Sequence, residues 1–427
     1  MKNRTFIALI LFIFPFFLLF FPADGKSQWI ESYSSIPPIT GSAWFEFDFS
    51  SADTGYLAVN QYWSVSVGFN YQILKTTDGG VSWNSGDFPV QSTDSPMGAY
   101  VIDISVPDAD TFFYTTRDYF NFLYRWTRQG GFSGYKLLGA FPRDLSAVNG
   151  QEAYVLTKGY SPDDMAVYYF NGDSVHKVFE SSAYMADQYS KIFFITRQVG
   201  FIVVKDLSQA VVLLKSLDGG NTFTPVTLPS GMTVNSLFFV SENSGFIAGG
   251  GGKIYHTTDQ GTTWQQLNTG TSASFNSINF ADPITGIAGG SGGTAIITAD
   301  GGQTWQSEPG VGNLTTARIF SPTNAYICNN SFFPTFFKGI YPVSAPSGEY
   351  PSLSIYPNPV EDQLVVDIPG QGATLPGFVL SGITGISVMS GTLGVSHVIG
   401  MSQLPAGVYF LKVFLPGSTI IRKIIKK

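Results

Sequence analysis

Short runs of alternating apolar and polar residues, separated by glycine-rich turns, recur along most of the chain. Two of them, SLFFVSENSGFIAGG (236–250) and SINFADPITGIAGG (277–290), are close variants of one pattern. Alternation with a period of two predicts β-strands that bury one face, and the small residues predict tight hairpins. Each repeating unit is therefore predicted to contain three or four short antiparallel strands and no helix.

One turn motif closes four of these units. The strings KTTDGGVSW, KSLDGGNTF, HTTDQGTTW and ITADGGQTW share the pattern S/T-x-D-x-G-x-x-aromatic, and Asp218, Asp259 and Asp300 follow each other at intervals of 41 residues. An Asp in such a turn accepts hydrogen bonds from the amides that follow it, and the Gly supplies a positive φ. The motif thus predicts a structural clasp, not a catalytic site. Its residues are Asp78, Gly80, Trp83, Asp218, Gly220, Phe223, Asp259, Gly261, Trp264, Asp300, Gly302 and Trp305.

The spacing of the clasps indicates how many units the chain contains. Asp78 and Asp218 are 140 residues apart, which leaves room for two degenerate units, with Arg128 and Asn171 in place of the Asp. A further unit begins at Ala317, giving seven in all. Repeats of about 40 residues with four antiparallel strands favour a β-propeller over a solenoid. We therefore predict an all-β fold, a seven-bladed β-propeller over residues 26–341.

The two ends of this repeat array are complementary. The seventh unit lacks an outer strand, whereas SQWIESYSS (27–35) is similar to the strands that follow the clasps elsewhere. The segment Trp29–Tyr33 is predicted to complete the last blade by pairing with Thr335–Tyr341. Such closure by the N-terminal strand leaves no free sheet edge.

The units resemble Asp-box (BNR) repeats of sialidases, sortilin-type receptors and some glycosidases, and in particular photosystem II assembly factor-like propellers of bacteria. The resemblance rests on the four clasp strings and covers about Trp29–Tyr341. It implies that ligands bind on the face opposite the clasps, where the loops between second and third strands emerge. Aromatic residues and carboxylates on these loops suit stacking on sugars or gripping a peptide. The candidate ligand-binding residues are Tyr62, Trp63, Phe69, Tyr71, Tyr119, Phe120, Tyr160, Asp163 and Asp164.

The N-terminal segment has the organisation of a secretory signal. Lys2 and Arg4 precede the apolar run Phe6–Phe21, and the small residues of Ala23–Gly25 follow it. Residues 1–25 are predicted to be a cleaved signal peptide, with a retained signal anchor as the alternative. No later stretch has membrane-spanning length, so no transmembrane anchor is expected after cleavage.

The C-terminal segment is predicted to be a separate small β-sandwich. Prolines and small residues mark a linker at 342–351, and alternating strings follow over 352–427. Tyr356–Pro359, Gly407–Tyr409 and the terminal basic run resemble the C-terminal sorting domain of the type IX (Por) secretion system of Bacteroidetes. That resemblance implies export by the type IX machinery, acting through residues 352–427, to the outer cell surface or the medium. An Ig-like binding module is the alternative.

Composition excludes several chemistries. Residues 26–349 carry 16 Lys and Arg against 26 Asp and Glu, and these are scattered, so nucleic-acid binding is not expected. One Cys and three His predict no metal centre, and no cofactor or catalytic residue is predicted. His176 and His256 are expected to be exposed strand residues. We predict a non-catalytic protein that binds an extracellular glycan or protein. The alternatives are a polysaccharide-degrading glycoside hydrolase on the same propeller and an envelope assembly or scaffold factor.

Overall fold

The structure is a computed structural model. It describes residues 28–31, 42–64, 68–85, 98–117, 121–137, 140–159, 164–308, 313–321, 324–329, 335–340, 354–367, 376–382, 387–393, 398–415 and 418–427. The predicted signal peptide (1–25) and the predicted linker (342–351) lie outside these residues. In the described part of the chain there are β-strands and short 3₁₀ segments at Gly250–Gly252 and Ser291–Gly293, but no α-helix. No helix found there is long and apolar enough to cross a membrane.

The body of the protein, residues 28–340, is built from short strands. They are β1 (Gln28–Glu31), β2 (Ser42–Phe49), β3 (Gly55–Ser64), β4 (Gly68–Thr76), β5 (Tyr100–Asp108), β6 (Thr111–Arg117), β7 (Phe122–Thr127), β8 (Gly131–Lys136), β9 (Phe141–Asn149), β10 (Glu152–Lys158), β11 (Met165–Phe170), β12 (Val175–Ser181), β13 (Tyr184–Met185), β14 (Lys191–Phe194), β15 (Gly200–Asp206), β16 (Val211–Ser216), β17 (Thr224–Val226), β18 (Ser236–Phe239), β19 (Gly245–Ala248), β20 (Ile254–Thr257), β21 (Gln265–Leu267), β22 (Phe275–Phe280), β23 (Gly286–Gly290), β24 (Ala295–Thr298), β25 (Gln306–Glu308), β26 (Leu314–Ser321), β27 (Asn324–Asn329) and β28 (Thr335–Ile340).

Within the described residues these strands form seven antiparallel sheets in chain order. The sheets are β2-β3-β4, β5-β6-β7-β8, β9-β10-β11-β12, β13-β15-β16-β17 with β14 on β15, β18-β19-β20-β21, β22-β23-β24-β25, and β26-β27-β28-β1. We number them one to seven. The second strands are buried along nearly their whole length, as in β6 and β15, because neighbouring sheets cover both of their faces.

The N-terminal strand joins the last sheet. Gln28–Glu31 pairs antiparallel with β28, and Trp29 lies opposite Gly339. The predicted pairing of the N-terminal segment with the last strand of the seventh sheet is thus present over Gln28–Glu31.

Successive sheets share apolar cores. One cluster lies between each sheet and the next, and a further cluster joins the seventh sheet to the first, where Tyr326 packs on Phe49 with ring centroids 4.3 Å apart. The Tyr326 hydroxyl also donates to the carbonyl oxygens of Ala52 and Gly79 at 2.9 and 3.0 Å. The first and last sheets are therefore tied by packing as well as by strand pairing.

The C-terminal segment forms two further sheets around a core of its own. Its strands are β29 (Ser354–Tyr356), β30 (Gln363–Asp367), β31 (Gly377–Gly382), β32 (Ser387–Thr392), β33 (Val398–Gly400), β34 (Gly407–Leu415) and β35 (Ser418–Lys426). They pair as β29-β30-β33 and β32-β31-β34-β35. Leu364 and Val366 of the first sheet and Leu380 and Leu411 of the second share one buried cluster, consistent with the predicted small sandwich.

Candidate functional site

The four clasp turns have one common geometry. In each, the Ser or Thr that ends the third strand donates to the Asp Oδ1 at 2.8 Å and accepts the amide of the Gly two positions after the Asp. The residue four positions after the Asp donates its amide to Oδ1 at 2.8–2.9 Å and its hydroxyl to Oδ2. Trp83, Trp264 and Trp305 pack edge-on against a Phe of the first strand in their own sheet.

The clasp carboxylates are occupied by these local hydrogen bonds. The Thr263 hydroxyl and amide lower the pKa of Asp259 to about 2, so the group is ionised at neutral pH and its acceptor positions are filled. A carboxylate in this state is a poor general acid or nucleophile. The predicted structural role of the clasp residues stays a prediction until their effect on folding is measured.

The two degenerate turns lie where the repeat spacing places them. Arg128 follows β7, and its guanidinium pairs with Asp110 at 2.9 Å on the surface. Asn171 follows β11, and its side-chain oxygen accepts the amides of Asp173 and Ser174. The side-chain oxygen of Asn171 thus accepts turn amides, as the clasp Asp does elsewhere.

The face opposite the clasps is uneven. In an antiparallel sheet the loop between second and third strands lies at the other end from the clasp turn. The second strand of sheet one, β3, has 10 residues against 4 in β19 of sheet five. The six additional residues extend this hairpin by about 20 Å at ~3.3 Å per residue. We call this side of the body the ligand face.

An aromatic cluster lies where this long hairpin meets the start of sheet two. Ring centroids are 5.8 Å apart for Trp44 and Phe69, 5.3 Å for Trp44 and Tyr100, 5.0 Å for Phe69 and Tyr100, and 4.9 Å for Tyr62 and Phe69. All four side chains are half-buried, so their rings are held in place and still reach solvent. We call these four residues the rim cluster.

Backbone contacts fix the position of the rim cluster. The buried Asn60 side chain bonds both backbone groups of Val101, donating at 3.1 Å and accepting at 2.7 Å, which ties β3 to β5. The amide of Ala99 donates to the carbonyl of Phe69. Gly98, at φ 71°, permits this approach, because a Cβ there would lie 2.0 Å from the Phe69 oxygen.

The predicted ligand-binding residues lie in different environments in the structure. Tyr62 and Phe69 lie in the rim cluster, and Trp63 lies on β3 with a side chain outside the described residues. The prediction is wrong for Tyr71, which is 3% exposed in the core between sheets one and two, its hydroxyl 3.4 Å from that of Tyr114. Asp164 is half-buried at the start of β11. Tyr119, Phe120, Tyr160 and Asp163 lie outside the described residues.

A central cavity is the second notable feature. It has a volume of about 310 Å³ and is lined by the first strand of six of the seven sheets described above and by β14 of sheet four, which we count as the first strand of that sheet from here on. We call this cavity the channel. The sequence did not single out its charged side chains, which are Glu46, Asp48, Asp103, Asp144, Lys191 and Arg318.

Most of the channel carboxylates connect neighbouring sheets. Asp48 accepts the amide of Val106 at 2.8 Å, Asp103 that of Leu145 at 2.9 Å, and Asp144 that of Ile192 at 2.7 Å. Every one of these bonds runs from a first strand to the first strand of the next sheet. The carboxylates therefore satisfy the inner sheet edges, which would otherwise present unpaired amides.

Burial and pairing control the charge in the channel. Lys191 bonds Asp144 at 2.9 Å, and this carboxylate raises the pKa of Lys191. The Nε of Arg318 lies 3.4 Å from the Oδ1 of Asp48. Burial raises the pKa of Glu46 to about 8, against a smaller opposing effect of Lys191, so Glu46 is largely protonated at neutral pH.

The two described histidines and the cysteine do not form a reactive site, and His397 lies outside the described residues. His176 is exposed, with its Nε2 2.8 Å from the Ser174 hydroxyl. His256 was expected to be exposed, but it is half-buried, with its ring stacked on Phe246 at a centroid distance of 4.4 Å. Burial lowers its pKa to about 4. Cys328 is buried in the core between sheets seven and one. Among the described residues no cluster of three metal-liganding side chains occurs.

Comparison of the tail with protein families assigns its role. Residues 354–427 match the secretion system C-terminal sorting domain. The chain therefore carries a type IX sorting domain, which directs export to the cell surface or the medium. No curated protein matches the chain in sequence.

Comparison with solved structures assigns the fold of the body. The chain is similar to YCF48 bound to a D1 peptide, with a TM-score of 0.53 and 17% identity over 74% of this chain and 95% of that one. For YCF48 from Cyanidioschyzon merolae the TM-score is 0.51 and the identity 16%, over 74% of this chain and 99% of that one. PorZ, a surface component of the type IX secretion system of Porphyromonas gingivalis, gives 0.51 and 13% over 90% of this chain, which spans 59% of PorZ. At these identities the likeness concerns the fold, a β-propeller.

Proposed function

We propose that the chain is an exported seven-bladed β-propeller that binds an extracellular ligand without transforming it. The pairing of β1 with β28 and the core shared by sheets seven and one support a closed ring. We keep the domain limits proposed from the sequence, 26–341 for the ring and 352–427 for the sorting domain, and the separate cores of the two parts support a division of the chain.

The rim cluster is the observation that carries the binding role. It presents Trp44, Tyr62, Phe69 and Tyr100 at the surface, on the face away from the clasps, and fixes them through Asn60 and Gly98. Preorganised aromatic faces bind sugars or peptides at little cost in side-chain entropy.

The channel argues against hydrolysis. A glycosidase needs two carboxyl groups that are free to exchange protons or attack the substrate. Asp48, Asp103 and Asp144 accept backbone amides, and two of them are also in ion pairs, Asp48 with Arg318 and Asp144 with Lys191. Burial raises the pKa of both Asp103 and Glu46, and the neighbouring Asp144 and Glu46 raise that of Asp103 further. Asp103 nevertheless accepts the Leu145 amide and is held in the wall of the cavity, so among the described residues there Glu46 has no second free carboxyl group to work with.

A role in assembly or scaffolding of an envelope complex is the second candidate. It is favoured by the likeness to PorZ, which extends over 90% of this chain. In this role the ligand of the rim cluster would be a protein.

Screening the purified secreted protein on a glycan array and in pull-downs from cell envelopes tests the proposal. Binding should fall in Tyr62→Ala and Phe69→Ala and be kept in Leu217→Ser, a control for an exposed apolar residue on the clasp side. Release of new reducing ends from a bound glycan would show a hydrolase and overturn the non-catalytic role.

A further inference from the structure

Two arginines lie beside the rim cluster. Arg117 ends β6 directly opposite Tyr100 in the strand register, and Arg143 lies near the start of β9. Both positions are on the ligand face. The Arg117 guanidinium lies over the ring of Phe141, with its central carbon 5.5 Å from the ring centroid.

Among the described residues the carboxylate that acts on this pair is Asp187, which is beyond ion-pair distance of Arg143 and is itself paired with Lys205. In the described part of the chain neither Arg117 nor Arg143 takes part in an ion pair. The Nε of Arg143 is buried there without a hydrogen-bond acceptor. Burial and the nearby charge of Arg117 lower the pKa of Arg143. Two guanidinium groups held close together in this way favour an anion between or beside them.

The ligand face is low at sheets five and six, which sheet seven separates from sheet one. On the same face, sheets five and six end in glycine turns, and a Cβ placed at Gly251 or Gly292 would meet no atom within 4 Å. The long hairpin of sheet one rises above that level. The described part of this face is therefore uneven, and the rim cluster lies at its raised side.

The chemistry of the patch favours an acidic sugar polymer. Half-buried aromatic rings on an open surface suit the flat faces of pyranose rings, whereas peptides are usually anchored by side chains in buried pockets. The planar guanidinium fork matches a carboxylate, which a neutral glycan lacks.

We propose that the rim cluster together with Arg117 and Arg143 binds an acidic polysaccharide, with sugar rings stacked on Phe69 and Trp44 and uronate carboxylates held by the two guanidinium groups. This inference rests on the proposed binding role and specifies its ligand.

Binding of the full-length secreted protein to uronate polymers tests it. The probes are polygalacturonate, alginate and hyaluronate, with methyl-esterified polygalacturonate as the uncharged counterpart of the first. We expect at least one acid polymer to bind, and, if it is polygalacturonate, the ester to bind about tenfold more weakly or worse, the usual effect of losing a charge-assisted contact. Affinity should also fall as salt is raised.

Variants separate this site from general charge effects. R117Q/R143Q should weaken binding about tenfold or more, whereas R128Q, which removes the same charge per site on the clasp side, should stay within about twofold. R117K/R143K should restore part of the affinity, because charge returns without the bidentate geometry. Melting temperatures identify any variant that is misfolded.

Several results would contradict the inference. These are equal binding of the acid and ester forms, equal losses in R128Q and R117Q/R143Q, or no binding of any acid polymer. If a neutral glycan or a peptide binds instead and Phe69→Ala abolishes it, the acidic ligand is wrong while the proposed binding role stands. If the rim variants change no interaction at all, both fail.

Discussion

Deletion of the N-terminal strand provides a quantitative test of ring closure. Residues Gln28–Glu31 pair with Phe337–Ile340 at four positions. With about one ladder hydrogen bond per pair at ~0.5–1.5 kcal/mol each, the deletion should lower the free energy of unfolding by about 2–6 kcal/mol. It also uncovers the edge of β28, and an exposed strand edge promotes association.

Urea unfolding followed by tryptophan fluorescence, with light scattering for aggregation, measures both effects. The matched control keeps the chain length but scrambles the order of residues 28–31, which separates loss of pairing from loss of length. A synthetic peptide of residues 27–35 added to the deletion variant should recover part of the stability. An unfolding midpoint equal to that of the unaltered protein, with no increase in scattering, would refute closure by this strand.

Three other perturbations have defined outcomes. Asp259→Ala should lower the melting temperature by a few degrees and leave ligand affinity unchanged, because the clasp bonds are local to the turn; loss of affinity at full stability would contradict a structural role. Removal of residues 350–427 should leave a folded body that accumulates inside the cell envelope, and fractionation that finds it outside would contradict the export role of the tail. Glu46→Gln should become more stable relative to the unaltered protein as pH rises from about 5 to about 9, by on the order of a few kcal/mol. The reason is that the folded protein retains the Glu46 proton up to its pKa of about 8, whereas the unfolded chain releases it near 4.5. Equal melting temperatures of the two proteins across that range would contradict a buried, protonated Glu46, which lies near Asp144, Asp103, Lys191 and Arg318.

Local features of the fold were readable from the sequence. The clasp around Asp259 is complete within Thr257–Trp264, and its hydrogen bonds join residues at most four positions apart. The pairing of Gln28–Glu31 is remote in sequence, yet the similarity of this strand to those after the clasps was sufficient to predict it.

The candidate site depends on contacts that a repeat pattern does not encode. Trp44 and Tyr100 come from the first strands of different sheets, and they meet because those sheets are neighbours. Tyr71 was misplaced because sheet two covers β4 as far as Tyr71 and leaves Phe69 half-buried beyond it. The sequence shows that the hairpin is long, but it does not show how many of the hairpin's residues the next sheet covers.

The polar residues that line the channel recur with the period of the repeat. Asp103 and Asp144 are 41 residues apart, as are Ser236 and Ser277, and all four are polar residues of first strands. In the structure each bonds a backbone group of an adjacent first strand. A polar position that recurs with the repeat period therefore indicates the inner edge of the ring.

Hydrogen–deuterium exchange of the secreted protein with and without its ligand tests the central claim, binding on the ligand face, most directly. Our account predicts that the ligand slows exchange in the hairpin around Asn60–Tyr71 and at the start of β5, around Tyr100, and leaves the amides of the clasp turns, such as Thr263, unchanged. Slowed exchange confined to the clasp turns, with none at the hairpin or at Tyr100, would contradict it.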